Sequence, residues 1–415
     1  MRPRAPGIRR IPALGAALAL AFAVAGCGGA KLLHQTSTVS ATVTTGVPSA
    51  SPTASQGLGF PLLATKNTTR VDGTDPIADA AGVALAVYPS AAPGTHPPAV
   101  ALAPTDDWQA ALAASVLMAP PIRAPILLSG SGTLPAATSQ ALSQLTPAGA
   151  GAIGGAQLVR VGDVPSVGGL RSATVKGSDP YSLAAGIDRF VSAVSGRPSN
   201  DVVIASATSP AYAMPAAGWA AESGDPILFV NAGGIPAATR QALATHQNAH
   251  IYVLGPPSVI PDGLLGQLHK YGTVKRVGAG DPAANSVAFA VYRDPACAYG
   301  QPCAHVPGSF GWAMRSPGHG YVLVNASRPL DAAAAAALSG SGDYGPQLLV
   351  SQPSSLPTSV LNFFLNYATP GYTQEGPTAA VYNHGWIVGD QSAISVGVQA
   401  EVDRLLEAVP QTAAK

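Results

Sequence analysis

Short, continuously apolar runs alternate with alanine-rich stretches along most of this chain. Ala99–Ala103, Ile126–Ser129 and Ala150–Gly154 form a first set of runs. Val202–Ala205, Ile227–Val230 and Ile251–Leu254 form a second, and Tyr321–Val324, Leu348–Ser351 and Trp386–Val388 a third. Runs this short, with no polar face, are expected of strands buried on both sides of a parallel sheet. The stretches between them, such as Trp108–Met118, are rich in Ala and Leu and predict helices. Each set opens with Gly and Asp-Pro: Gly73-Thr-Asp75-Pro76, Gly177-Ser-Asp179-Pro180 and Gly280-Asp281-Pro282. An Asp that can cap, followed by a Pro that suits the first turn, marks a helix start. Helix and strand therefore alternate three times per set, which predicts an α/β fold of parallel sheets covered by helices.

The three sets are copies. Pro135-Ala-Ala-Thr-Ser-Gln-Ala-Leu142 and Pro236-Ala-Ala-Thr-Arg-Gln-Ala-Leu243 differ at one position, at an offset of 101 (236 − 135). The same offset relates Pro125-Ile-Leu-Leu128 to Pro226-Ile-Leu-Phe229, Gly154 to Gly255, and Gly177 to Gly278. A third, longer copy carries Pro346-Gln-Leu-Leu-Val350, Leu356-Pro357 and Ile387-Val-Gly389. Repeats at a fixed period indicate stacked structural modules, here residues 66–170, 171–277 and 278–410.

The N-terminal segment has another character. Arg2, Arg4, Arg9 and Arg10 precede an apolar run, Ile11–Val24, that is too short to span a bilayer and ends in Val24-Ala25-Gly26-Cys27. Small residues before a cysteine resemble a bacterial lipobox. Residues 1–26 are thus expected to be a lipoprotein signal peptide, with Cys27 lipidated as the only membrane anchor. Residues 27–65, rich in Ser, Thr, Ala and Gly, read as a flexible tether.

Composition narrows the function. Charged residues are only 10% of the 415 and the formal net charge is +1, so there is no basic field for nucleic acid. Of three cysteines, Cys297 and Cys303 stand close together in a polar loop. In an exported protein such a pair is expected to form a disulfide.

The repeated strand, Ala-rich helix, Pro-Ile-Leu-Leu strand, Leu-Pro helix start and Ile-Gly-Gly turn resemble the cell wall binding repeat 2 modules of Gram-positive bacteria. The resemblance covers about residues 66–408. Val388-Gly-Asp-Gln-Ser-Ala-Ile-Ser395 is similar to the family's closing segment, and Leu330-Asp331-Ala332-Ala333 to its Asp-bearing helix start. The chain departs from the family by placing Pro after each opening Asp. The resemblance implies three modules in a pseudo-threefold arrangement that bind an anionic wall polymer non-covalently. It also makes Asp331 a candidate ligand-binding residue.

Other chemistry is thin. Gly149-Ala-Gly151-Ala-Ile-Gly154 has dinucleotide-type spacing but precedes a predicted strand rather than following one, so it reads as a turn. His246 and His250 have helical metal-ligand spacing without a Cys or acidic neighbour in sequence, and read as a solvated helix end. Asp75, Asp179 and Asp281 read as helix caps. No nucleophile elbow or phosphate loop occurs, so neither an enzyme nor a cofactor or metal site is expected. In α/β proteins ligands gather beyond the carboxyl ends of the strands, near helix N-termini. That rule selects Thr105 and Asp106, Ser206 and Ser209, and Asn325 and Arg328 as candidate ligand-binding residues. The expectation is a lipid-anchored envelope protein at the outer face of the membrane, binding a cell-wall polymer. The alternatives are a solute receptor for a transporter, which would be two hinged lobes around one cleft, and an envelope scaffold. Oligomeric state is left open.

Overall fold

The structure, a computed structural model, describes residues 62–300, 302–306, 309–342, 344–372 and 381–410. The signal segment, Cys27 and nearly all of the tether lie outside the described residues. Three main sheets carry the fold. The first has the strand order β4 (Ile126–Ser129), β3 (Val100–Pro104), β5 (Leu158–Val161), β6 (Ser172–Val175), all parallel. The second repeats it as β8 (Ile227–Val230), β7 (Asp201–Ser206), β9 (Ala249–Leu254), β10 (Gly272–Val277). The third runs β12 (Gln347–Val350), β11 (Gly320–Asn325), β14 (His384–Val388), and then β2 (Thr68–Val71) from the other end of the chain. The edge of that sheet is β1 (Leu62–Ala64), antiparallel to β2. Residues 62–64, read from sequence as the end of the tether, are thus a strand.

The first and third sheets cross the repeat boundaries. In each, the fourth strand is the one that precedes the next Asp-Pro helix. Thus β6 completes the first sheet, and β2 closes the third. The three modules are joined into a ring whose last sheet needs the first parallel strand of the chain.

Helices cover both faces of the first sheet. Alternate residues of β3 separate cleanly: Ala101 and Ala103 face the central core, while Val100 and Leu102 face a satellite core with Ala141, Leu142 and Leu145 of the helix Ala136–Leu145. At the centre, the helices that follow β3, β7 and β11 pack together: Trp108–Ala114, Pro215–Ser223 and Pro329–Ser339. All three are alanine-rich and buried. Alanine costs no side-chain entropy in a helix and lets the axes approach closely. Gly218 marks a close approach: a Cβ there would lie 2.7 Å from Ser339 Oγ.

Asp75, Asp179 and Asp281 cap their helices as the sequence implied. Asp75 Oδ1 accepts from the N–H groups of Ile77 and Ala78, Asp179 Oδ1 from Tyr181 and Ser182, and Asp281 Oδ1 from Ala284. One predicted strand is displaced. Residues 150–154 form a tight turn around the 3-10 segment Gly151–Ile153, and the strand begins only at Leu158. Gly162, not Gly154, occupies the place of Gly255. The N–H groups of Gly162, Gly255 and Gly389 bond to the carbonyls of Val175, Val277 and Val71 at 2.9, 3.0 and 2.9 Å. The uniform offset conceals this because the first copy, longer before its strand, lacks the helix Asp262–Leu268 found after it in the second.

Cys297 and Cys303 are bonded, as expected, with both residues buried. Their loop carries Phe310 and Trp312 into an aromatic cluster with Trp219.

Candidate functional site

The central helices, the second of them led by the short helix Pro210–Ala213, begin beyond the ends of β3, β7 and β11, and these three starts are adjacent. Gln109 Nε2 donates to the carbonyl of Ala207 at 3.0 Å, tying the first start to the second. A cavity of about 470 Å³ joins the first start to the third. It is lined by Asp75, Thr105, Asp106, Trp108, Ser327 and Arg328, among others. Of the residues selected from sequence, the structure therefore brings Thr105, Asp106 and Arg328 to one cavity.

The others have different surroundings. Ser206, buried, lies 3.2 Å from Thr208 Oγ1 through its hydroxyl. Ser209 takes the N-cap position before Pro210 without a capping side-chain bond. Asn325 is buried and structural: its Nδ2 donates to the carbonyl of Ala393 at 2.7 Å, and its Oδ1 accepts from Ser327 N and Oγ. Asp331 is fully buried beneath Arg328.

Arg328 is held from below. Its Nη2 donates to Ser392 Oγ at 2.8 Å and lies 3.5 Å from Asp390 Oδ1, while Nη1 is 3.8 Å from Asp331 Oδ2. Burial works against the Asp390 carboxylate, but bonds from Ser392 and Ala393 and the charge of Arg328 hold it below the usual carboxylate range. Behind this pair stands Asp79, on the helix Pro76–Val87, which packs on the helix of Asp331. Asp79 Oδ1 accepts from Gly73 N at 3.0 Å. Burial first, and then repulsion from Asp331, push its carboxyl up to about 9. Burial likewise raises Asp331 to about 7, with Arg328 opposing and Asp390 adding to the rise. Two buried acids of this kind cannot both ionise cheaply, so a shared junction between the third and first modules holds a proton near neutral pH.

Sequence reasoning missed Asp79, Asp390 and Arg70. Asp79 sits four residues after the capping Asp75, where the other two copies have Leu183 and Asn285. Asp331 likewise matches Tyr212 and Ala110. The three junctions therefore pair Asp331 with Asp79, Ala110 with Leu183, and Tyr212 with Asn285. At the last of these Asn285 Nδ2 donates to the Tyr212 carbonyl at 3.4 Å.

His246 is no solvated helix end. It is buried, with Nε2 2.9 Å from Asp188 Oδ2 and Nδ1 2.8 Å from the Ser199 carbonyl. His250, in β9, instead meets Asp201 at 3.0 Å. The acidic partners come from distant sequence, which the local reading could not see. Among the described residues no group of three or more His, Cys, Asp or Glu side chains is placed to hold a metal ion, and no helix is long and apolar enough to cross a membrane.

Residues 174–265 match the family described as Cell wall binding domain 2 (CWB2). The match spans most of the second repeat and shows there the resemblance carried by the sequence. Among solved structures, Cwp8 from Clostridium difficile aligns with a TM-score of 0.58 at 16% identity, over 82% of this chain and 52% of that one. Cwp6 from Clostridium difficile aligns with a TM-score of 0.55 at 14% identity, over 79% of this chain and 46% of that one. The chain thus spans about half the length of these structures, and at such identities the likeness is one of fold. No curated protein matches the chain.

Proposed function

We propose that this chain is a lipid-anchored envelope protein that binds an anionic cell-wall polymer non-covalently through its three repeats. The observation that carries the reading is the match of residues 174–265 to a cell wall binding domain, set in a ring that repeats the same α/β module three times. Linked modules can engage a repeating polymer at several points, and each later contact is then intramolecular. The anchor in this proposal is Cys27, with the tether lifting the ring off the membrane. A solute receptor would close two hinged lobes around one cleft. The described residues fall within one compact unit built on three main sheets, which favours contact at several points instead.

The contact face in this reading is the meeting of the central helix starts. Helix N-termini favour anions, and Arg328 supplies a cation there. Its charge is already shared with Asp390 and Asp331, so the attraction is local and hydroxyls such as Thr105 carry part of the recognition. Co-sedimentation of the exported chain with purified walls tests this. Arg328→Gln, checked for an unchanged melting curve, is expected to weaken binding about tenfold, as loss of one charged hydrogen bond implies. Unaltered binding by a folded Arg328→Gln variant would move the contact to another face.

A further inference from the structure

Trp386 lies at the opposite end of the Pro329–Ser339 helix from Arg328, beside a second cavity of about 410 Å³. The cavity is lined by Thr69, Ala86, Val87, Leu338, Ser341, Gly342, His384 and Trp386. The repeat shows what this position does elsewhere. Register in the sheets makes Trp386 the counterpart of Tyr252 in the second module and of Val159 in the first. Trp386 pairs with Thr69, Tyr252 with Lys275, and Val159 with Ala173, each two residues before the strand's last pair. Leu338 matches Trp219 in the same way along the central helices.

In the first module Val159 is fully buried. In the second, Tyr252 is covered by a ring from the chain itself. Phe310, on the disulfide loop, stacks on it with centroids 3.7 Å apart and planes 8° from parallel, and is enclosed further by Trp219, Phe289 and Tyr292. In the second module this position therefore receives a flat ring against an aromatic face. In the third module the counterpart of Tyr252 is the larger indole, half-buried, and the place corresponding to Phe310 is the cavity.

The rim of that cavity separates it from a purely apolar slot. Thr69 and Ser341 bring hydroxyls to it, and His384 meets Trp386 edge-on, with centroids 5.0 Å apart and planes at 69°. A ligand that satisfies both surfaces has an apolar flat face and a polar edge. A pyranose ring is such a ligand: its axial C–H bonds lie against the electron-rich indole face while its hydroxyls meet the rim. The volume is in the range that encloses a small ligand. We infer that Trp386 forms the floor of a carbohydrate subsite that stacks one sugar residue of a wall glycan, in the place that Phe310 fills in the second module. The inference rests on the wall-binding reading and deepens it, adding a neutral sugar contact to the polymer contact at the other end of the central helices.

The chain labelled with 5-fluorotryptophan provides the test, because it has four tryptophans and Trp386→Phe assigns the one of interest. The probe is the soluble glycan released from purified walls by a muramidase. The expected result is movement of the Trp386 resonance, with the buried Trp219 and Trp312 resonances unmoved. Trp386→Ala is expected to weaken glycan binding about tenfold, the equivalent of one lost ring contact. Ser341→Phe, which fills the cavity from its rim and leaves the indole in place, should weaken it comparably. This second variant decides the matter if Trp386→Ala fails to fold. A Trp386 resonance that saturating glycan leaves unmoved overturns the subsite, as does full binding by Ser341→Phe. Failure of the whole chain to bind walls would refute the broader reading instead, and the resonance would still report on the sugar.

Discussion

Arg70 Nη1 donates to the carbonyl of Gly389 at 2.6 Å, joining the first parallel strand of the chain to the last sheet turn. The same fully buried guanidinium donates from Nη2 to Ile394 O at 2.7 Å and from Nε to Gln399 Oε1 at 2.8 Å. The second module has a counterpart: Arg276 donates to Gly255 O at 2.6 Å and to Ile260 O at 2.7 Å. In the first module Thr174 stands at that place, and Arg160 of the neighbouring strand reaches the Val164 carbonyl instead. An arginine thus pins the turn after the third strand of every module. Arg70→Met is expected to destabilise the protein by about 3 kcal/mol, since it orphans several buried acceptors. Arg276→Met should cost less because its site is partly open to water. Denaturant melts of both variants check the order, and equal losses would show that ring closure is no more demanding than an ordinary turn.

Stability should fall as pH rises through neutrality. Asp79, at about 9 in the folded protein against an ordinary 3.8, keeps a proton that the unfolded chain has lost between those values. Asp331, raised to about 7, acts with the same sign. Their contribution is complete below about pH 4 and is lost as pH climbs toward 9, with a slope of about 1.4 kcal/mol per pH unit for each proton. Asp79→Asn keeps an oxygen for Gly73 N and removes one charge. The variant is expected to show a flatter stability–pH profile and a higher melting temperature at pH 8. A wild-type profile that rises from pH 5 to 8 would contradict the shared proton.

The Cys297–Cys303 disulfide closes a small loop, so its entropic contribution is modest, about 2 kcal/mol. Replacing both residues with Ser should lower stability by that amount. Mass spectrometry of the exported chain should find no free thiol at either position. Because the loop carries Phe310 onto Tyr252, near-ultraviolet circular dichroism should lose intensity in the same variant.

Cys27→Ala is expected to leave an uncleaved precursor or to release the protein from membranes. Fractionation followed by immunoblotting reads either outcome, and normal processing with full membrane retention would remove the lipid anchor from the account.

The strands that sequence placed well were those buried on both faces, because an unbroken apolar run announces itself: β8 and β4 match residue for residue. The fourth strands were invisible for the opposite reason. Thr68-Thr-Arg-Val71, Ser172-Ala-Thr-Val175 and Gly272-Thr-Val-Lys-Arg-Val277 are interrupted by polar or charged side chains, and in the case of Arg70 bury a charge. Nothing local indicates that β2 pairs with β14, more than three hundred residues away. Of the candidate site, the strand-end rule found Thr105, Asp106 and Arg328. It could not tell that Asn325 spends its amide on Ala393, or that Asp79 arrives beneath Arg328 from the opposite end of the ring. Those facts depend on tertiary closure rather than on any window of sequence.

The central claim is most directly tested by titrating the folded chain against walls that carry their secondary polymers and against the same walls after those polymers have been stripped. The account predicts saturable binding to the intact walls, falling only moderately with added salt because few exposed charges are available to screen, and a large loss of affinity after stripping. Equal binding to both preparations, or to neither, would contradict it.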